Sequence, residues 1–312
     1  MRRDRNEAAG RIAAGQHGLI TRAQAVSVGF DSSAIHRNRA SGRWCTVAPG
    51  VYLVVGAPRT WHTNLLAECL STGGVASHRS AAALLGIGGF RRGPVEITVR
   101  RSSKAHGSGS RVHEAQDFGL IRPVTIEGIP TTPPARLAVD LGSVVSFERY
   151  EAAMDQLLGR RAMTWDDMFD HLMSHGRRGR NGVAALRAFL DQRLGSAIGD
   201  SPFEQWFLRQ LRARHFPDPV TQLQIDNRDG TFLARVDVAY SAERLILEMD
   251  SLEFHLNRRS FTKDPTTRRR LRRLGWFVFE ITYDMVTNDA EATFRDLREL
   301  LTERRPTGLI VP

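Results

Sequence analysis

Two apolar runs with three residues between them constrain this chain most: LARVDVAY (233–240) and RLILEMD (244–250), linked by Ser241-Ala242-Glu243. Short β-rich runs joined by so few residues read as an antiparallel hairpin. A turn centred on Ala242–Glu243 sets Asp237 opposite Glu248. Asp250 lies two residues further along, on the same face, opposite Arg235. Side chains directly opposite sit ~5 Å apart at Cβ, and like charges there are destabilising. An Asp–Glu pair among Val, Leu and Ile therefore needs a neutralising partner. A divalent cation is one, because hard oxygen ligands converge on it and it cancels their repulsion. A salt-bridge cluster with Arg235 and other arginines is the alternative, and the residues leave both open.

The flanks add to this hairpin. Ser201-Pro202-Phe203-Glu204 starts a helix, with Ser as cap, Pro at the first position and Glu three after the cap. Phe203, Phe207 and Leu211 form an apolar stripe, and Glu204 falls within it. Glu204 is thus either a capping-box residue or a carboxylate turned towards whatever the helix packs on, and the two roles are compatible. After the second strand comes Ser251-Leu252-Glu253-Phe254-His255. Residues 258–273 then hold eight basic groups and one acid, Asp264. Leu271 and Leu274 give this helix a narrow apolar edge, Gly275 ends it, and WFVFEITYD (276–284) reads as a third strand. Such a helix either holds a phosphate backbone near a metal or is a solvated arginine face.

The N-terminal end reads helix, helix, helix, hairpin. Asn6–Gln16 is alanine-rich. Thr21 can cap a helix over Arg22–Val28, and Asp31 another over Ser32–Ala40. Arg43–Val47 and Val51–Val55 are β-rich around the turn Ala48-Pro49-Gly50. That order is the order of a winged helix-turn-helix, whose third helix enters the major groove with its N-terminal residues nearest the bases. Ser32, Ser33, His36 and Arg37 would then face outward, Ile35 would join Val28 and Phe30 in the core, and Arg39 and Arg43 would flank phosphates. A partner-binding winged helix is the alternative.

Charge supports a polyanionic partner. The chain of 312 residues carries a net charge of +10, and 42 of its 44 basic residues are arginine. Arginine binds phosphate bidentately and stacks on bases. Residues 1–58 and 59–199 each carry a net +5, whereas 200–305 are balanced. No stretch approaches the ~18 apolar residues of a membrane helix. Nothing at the N-terminus resembles a signal peptide. Cys45 and Cys69 are too few for a disulfide framework. A cytoplasmic protein is expected.

Breaks near Pro49–Pro58 and Gly195–Asp200 suggest three parts: 1–58, 59–199 and 200–305. In the middle part, 77–87 reads as a capped helix, 95–101 and 123–129 as strands, and 131–145 and 147–161 as helices. His78, His106 and His113 share no metal-ligand spacing and are expected in polar or capping roles. Arg177-Arg178-Gly179-Arg180 is expected as a solvated linker.

Taken in order, SPFExxF, RVDVAY, LILEMDSLEFH and DPTTRRRLRRLGWFVFEIT resemble the very-short-patch-repair-like branch of the PD-(D/E)XK nucleases. Glu204, Asp237, Glu248, Asp250, His255, Asp264, Arg268, Leu271 and Gly275-Trp276 match its pattern in sequence. Two positions depart: Ser251 stands where the branch has Gly, and Asp250 where the wider superfamily often has Lys. LITRAQAVSVGFDSSAIHRNRASGRWCTVAPGVYLV (19–54) resembles the N-terminal winged helix of AbiEi-type antitoxins, and the SHRSAAALLG and TTPPARLAVDL segments are similar to the region that follows it there.

These resemblances imply an α+β, multidomain protein with an N-terminal winged helix-turn-helix, a mixed α/β middle region and a C-terminal restriction-endonuclease-like α/β/α domain. The nuclease resemblance implies DNA phosphodiester hydrolysis. Asp237 and Glu248 would hold Mg²⁺ (or Mn²⁺), Glu204 or Asp250 would complete the site, His255 would act as base or acid, and Arg268 would clamp phosphate. Arg269 and Arg273 would bind the DNA backbone. The alternative is a non-enzymatic AbiEi-like antitoxin or transcriptional regulator with a degenerate nuclease fold. Its partners would be DNA and a cognate toxin or a second copy of itself, without a membrane.

Overall fold

The computed structural model describes residues 2–101, 109–175, 182–196, 202–250, 264–282, 285–286 and 289–305. The protein is α+β and divides into two compact units, Met1–Met163 and Thr164–Pro312. Among the described residues no helix is long and apolar enough to cross a membrane.

The first unit opens with α1 (Arg2–Ala14), β1 (Leu19–Thr21), α2 (Arg22–Ser27), α3 (Ser32–Ala40), β2 (Trp44–Ala48) and β3 (Val51–Val54). Local chemistry explains the boundaries. Thr21 Oγ1 accepts from the Gln24 N–H at 3.1 Å while Gln24 Oε1 accepts from the Thr21 N–H at 2.9 Å, a reciprocal capping box. Asp31 Oδ1 accepts from the Ala34 N–H and starts α3. Gly42, at φ +72, lets the chain turn out of α3 into β2. The residue pattern predicts no strand at β1. That segment pairs with β3, giving a three-stranded sheet in the order β1-β3-β2. Ala9, Ile20, Ala25, Phe30, Ile35, Trp44 and Tyr52 form the core beneath α3, with Val28 packed against it. The Trp44 ring packs on both Phe30 and Tyr52.

The unit continues through α4 (Trp61–Thr72), β4 (Val75–Ala76), α5 (His78–Leu84), β5 (Glu96–Arg100), β6 (Arg111–Ala115), β7 (Val124–Ile126), β8 (Ile129–Thr131), α6 (Pro134–Gly142) and α7 (Phe147–Gly159). Its sheet runs β6-β5-β4-β8-β7. Two expectations are corrected here. Residues 123–129 are not one strand: Glu127 and Gly128 take φ of +49 and +77, a tight turn that folds β7 back onto β8 with Ile126 opposite Ile129. Ser77 occupies the N-cap position of α5 but makes no side-chain cap, because its hydroxyl is engaged by its neighbours His78 and Thr98.

The second unit contains α8 (Trp165–His175), α9 (Val183–Ser196), α10 (Pro202–Ala213), β9 (Val220–Asp226), β10 (Phe232–Tyr240), β11 (Leu245–Asp250), α11 (Pro265–Arg273), β12 (Phe277–Thr282) and α12 (Ala290–Glu303). The sheet order is β12-β11-β10-β9. β10 and β11 pair antiparallel with Val238 facing Leu247, Ala239 facing Ile246 and Tyr240 facing Leu245, the register expected for a turn centred on Ala242–Glu243. β11 and β12 run parallel, with Glu248 beside Glu280. Phe203, Phe207 and Leu211 of α10 are buried. Phe203 and Trp206 pack on Phe169 of α8, and Phe207 stacks on Phe294 of α12. Ile246, Leu271 and Ala239 share a core with Leu274, Trp276 and Val278 packed against it, so α11 lies over the sheet face that carries Ile246.

Candidate nucleic-acid interface

Helix α3 has two faces set by its sequence. Ala34 and Ile35 are 3% and 2% exposed and belong to the core. Ser32, Ser33, His36, Arg37 and Arg39 are exposed, as is Arg43 at the start of the hairpin. The side chains expected to face outward therefore do so, and Ile35 packs with Phe30 and Val28. Arg22 Nη2 donates to Ser32 Oγ at 2.8 Å, which ties the start of α3 to α2. Arg39 Nε donates to Thr46 Oγ1 at 3.0 Å, and its guanidinium lies over the Tyr52 ring. Arg39 thus joins α3 to the β2–β3 hairpin.

In the second unit the β10–β11 register, with Val238 facing Leu247, puts Asp237 and Glu248 at neighbouring positions. Asp237 is exposed and accepts from Gln222 Nε2 at 2.9 Å. Glu248 is half-buried and sits 3.4 Å from Arg268 Nη2. The same guanidinium nitrogen pairs with Glu280. Partial burial works against the charge on Arg268, but the Glu280 and Glu248 carboxylates outweigh it and raise its pKa above the ordinary arginine value. Asp264 caps α11: it accepts from the Thr266 and Thr267 N–H groups and the Thr267 hydroxyl, bonds that hold its carboxyl below the usual carboxylate range. Glu204 is half-buried on α10. Arg269, Arg270, Arg272 and Arg273 are exposed along α11. Ser201, His255, the 177–180 arginine run and the Asp250 side chain lie outside the described residues.

The structure thus brings Glu248, Glu280 and Arg268 together. Among the described side chains the group neutralising Glu248 is a guanidinium. Among the described side chains, which do not include those of Asp250 and His255, Asp237 and Glu248 are not part of a group of three close ligands. Glu280 was missed in the sequence because its part follows from the parallel register of β12 on β11, which no local pattern encodes.

Another group was also missed. His78 and His113 stack ring on ring, 3.5 Å between centroids, beside the buried Glu96. The absence of ligand spacing in the sequence hid this meeting. His106 lies outside the described residues.

Residues 11–55 match a family model described as "Transcriptional regulator, AbiEi antitoxin". The match runs from the last turn of α1 to the end of β3 and contains all of α3. Two proteins of Mycobacterium tuberculosis, "Uncharacterized protein MT2308" (strain CDC 1551 / Oshkosh) and "Uncharacterized protein Rv2248" (strain ATCC 25618 / H37Rv), are each 28% identical over 181 residues. The matched segment is 58% of this chain and spans 64% of the length of these curated relatives. A crystal structure of the RV2827C protein from Mycobacterium tuberculosis is similar at a TM-score of 0.31 and 20% identity, covering 59% of this chain and 80% of that one.

Proposed function

We propose that this protein is a DNA-binding transcriptional regulator of the AbiEi antitoxin kind. The N-terminal part would act as a winged helix-turn-helix, with α3 in the major groove and the β2–β3 hairpin as its wing. The observation that carries this reading is the exposed row Ser32, Ser33, His36 and Arg37, presented by a helix whose other side is locked into a core, inside the segment matching the regulator model. Serine, histidine and arginine are side chains that hydrogen-bond base edges, and arginine does so bidentately to guanine. Arg39 and Arg43 supply flanking phosphate contacts.

The second unit is read as a binder. Arg269 and Arg273 on α11 would contribute sequence-independent phosphate affinity. The Arg268 pairing of Glu248 and Glu280 supports this over a nuclease centre, since the carboxylates are neutralised from within the chain. A cognate toxin is the protein partner that an antitoxin would take.

The test is selection of bound duplexes from a random pool, followed by fluorescence anisotropy on the enriched site. A shared motif, with affinity and base preference both altered in Arg37→Ala, is the expected result. No enrichment, or an Arg37→Ala protein with unchanged affinity and preference, would assign the N-terminal part to a protein partner instead.

A further inference from the structure

Three elements far apart in sequence meet at one point in the first unit. β4 ends at Ala76, beside Ile97 of β5, so Ser77 and His78 emerge next to Glu96. The Ser77 N–H donates to the Glu96 carbonyl at 3.1 Å. β6 pairs parallel with β5, with Thr98 beside His113 and Glu96 beside Arg111. Glu96, Thr98, Arg111 and His113 therefore share one sheet face. The result is a pair of stacked imidazoles against a carboxylate that is 2% exposed.

We propose that His78, Glu96 and His113 form a binding site for a zinc-class divalent metal ion. One ligand atom from each of the three lies within 4.8 Å of the others. Two histidines and a glutamate are a donor set suited to such an ion, and three protein ligands leave one coordination position for water or a further ligand.

Several features favour an ion over an ordinary polar core. A stack at this distance admits no pair of charged imidazolium rings. Burial first, and the neighbouring ring second, push His78 down to about 3, and burial likewise lowers His113. Among the described residues His113 Nε2 is shielded from solvent and has no hydrogen-bond partner, and it lies 3.9 Å from Glu96 Oε2, too far for a bond but close enough to share an ion with it. A small rotation of His113, the more exposed of the two rings, off the stack lets its nitrogen turn towards the common point.

A second layer holds the ligands. Ser77 Oγ lies 2.8 Å from His78 Nδ1 and accepts from Thr98 Oγ1. When Nδ1–H donates to Ser77, Nε2 is left with its lone pair for the metal. Glu96 Oε1 accepts from Arg79 Nη1 at 2.7 Å, and Oε2 accepts from the Arg79 N–H at 3.0 Å. Each carboxylate oxygen keeps a lone pair beyond these bonds. Glu96 also lines a cavity of about 300 Å³ shared with Arg79, Arg91 and Arg111.

The experiment uses the full chain, free of any histidine tag and stripped with chelator, titrated with Co²⁺ and then competed with Zn²⁺. The expected result is one Co²⁺ per chain with the visible bands of a low-symmetry site, displaced by Zn²⁺. His113→Ala and Glu96→Gln should each weaken binding more than about tenfold. His62→Ala changes the separate His17–His62 pair beside Glu127 and should leave binding unchanged. Melting curves identify any variant that fails to fold, and the half-exposed His113 gives the variant that keeps the test decisive. No Co²⁺ binding by the folded wild type, binding that survives His113→Ala, or binding lost in His62→Ala would each overturn the assignment.

Discussion

Arg136 and Asp140, one turn apart on α6, are each 4% exposed and joined through Nε and Oδ1 at 2.7 Å. Arg136 Nη1 also reaches Asp117 at 3.1 Å. This is a buried charge cluster with one guanidinium between two carboxylates. Its value lies in completeness: removing the guanidinium takes its charge from two acids in a medium that solvates them poorly. Arg136→Ala is expected to destabilise the first unit by about 3–5 kcal/mol. Urea denaturation followed by near-ultraviolet circular dichroism measures it. A loss under ~1 kcal/mol would show that water reaches the two acids.

Arg268 plays a related part in the second unit, with more solvent nearby. Without it, Glu248 and Glu280 face each other as register neighbours. Arg268→Ala should cost about 1–3 kcal/mol, since Arg268 and Glu280 are both well over a third or close to it in exposure and screening reduces the effect. Adding Glu280→Gln should recover part of the loss. A double-variant cycle reads that recovery, and strict additivity would mean that the two do not interact.

DNA affinity should divide along the same lines as the structure. Arg37→Ala is expected to lose ~1–3 kcal/mol on the selected site and to relax base preference. Replacing Arg269 and Arg273 with Ala should weaken binding to all duplexes alike and reduce the slope of log affinity against log salt. Both sets are exposed, so thermal stability should stay near wild type.

The binder reading makes a direct statement about cutting. Supercoiled plasmid incubated with wild-type protein and Mg²⁺ or Mn²⁺ should stay intact. Nicking by a preparation free of contaminating nuclease, and lost in Asp237→Ala, would restore the Asp237–Glu248 metal centre. Asp237→Ala should leave DNA affinity equal or slightly higher, because a carboxylate near the phosphates has been removed.

In protein stripped of metal, acid should unfold the first unit through His78. Its folded pKa lies at about 3 against an ordinary 6.5. The unfolded chain therefore takes up a proton below about pH 6.5 that the folded chain refuses until about pH 3. The stability contributed by neutral His78 is fully present above 6.5 and is lost as pH falls through that window. His113 adds in the same direction. A His78→Gln protein should show a flatter dependence of unfolding free energy between pH 6.5 and 4. An unchanged slope would place the acid sensitivity elsewhere.

Much of the local structure was legible in the residues. Thr21, Asp31 and Gly42 mark where helices start and stop because capping groups act on backbone within four residues of themselves. The β10–β11 register followed from a short turn and two apolar runs, since a hairpin closes locally. The face of α3 followed from helical spacing alone: Ala34 and Ile35 could not be outside while Ser33, His36 and Arg37 were inside. The tertiary structure decided everything that depends on pairing over long separations. Parallel pairing of β12 with β11 placed Glu280 beside Glu248 and gave Arg268 two acids to bridge. Parallel pairing of β6 with β5 brought His113 onto His78 and Glu96. Neither meeting leaves a trace in spacing, because parallel strands are joined through long connections whose length does not fix which residues end up side by side.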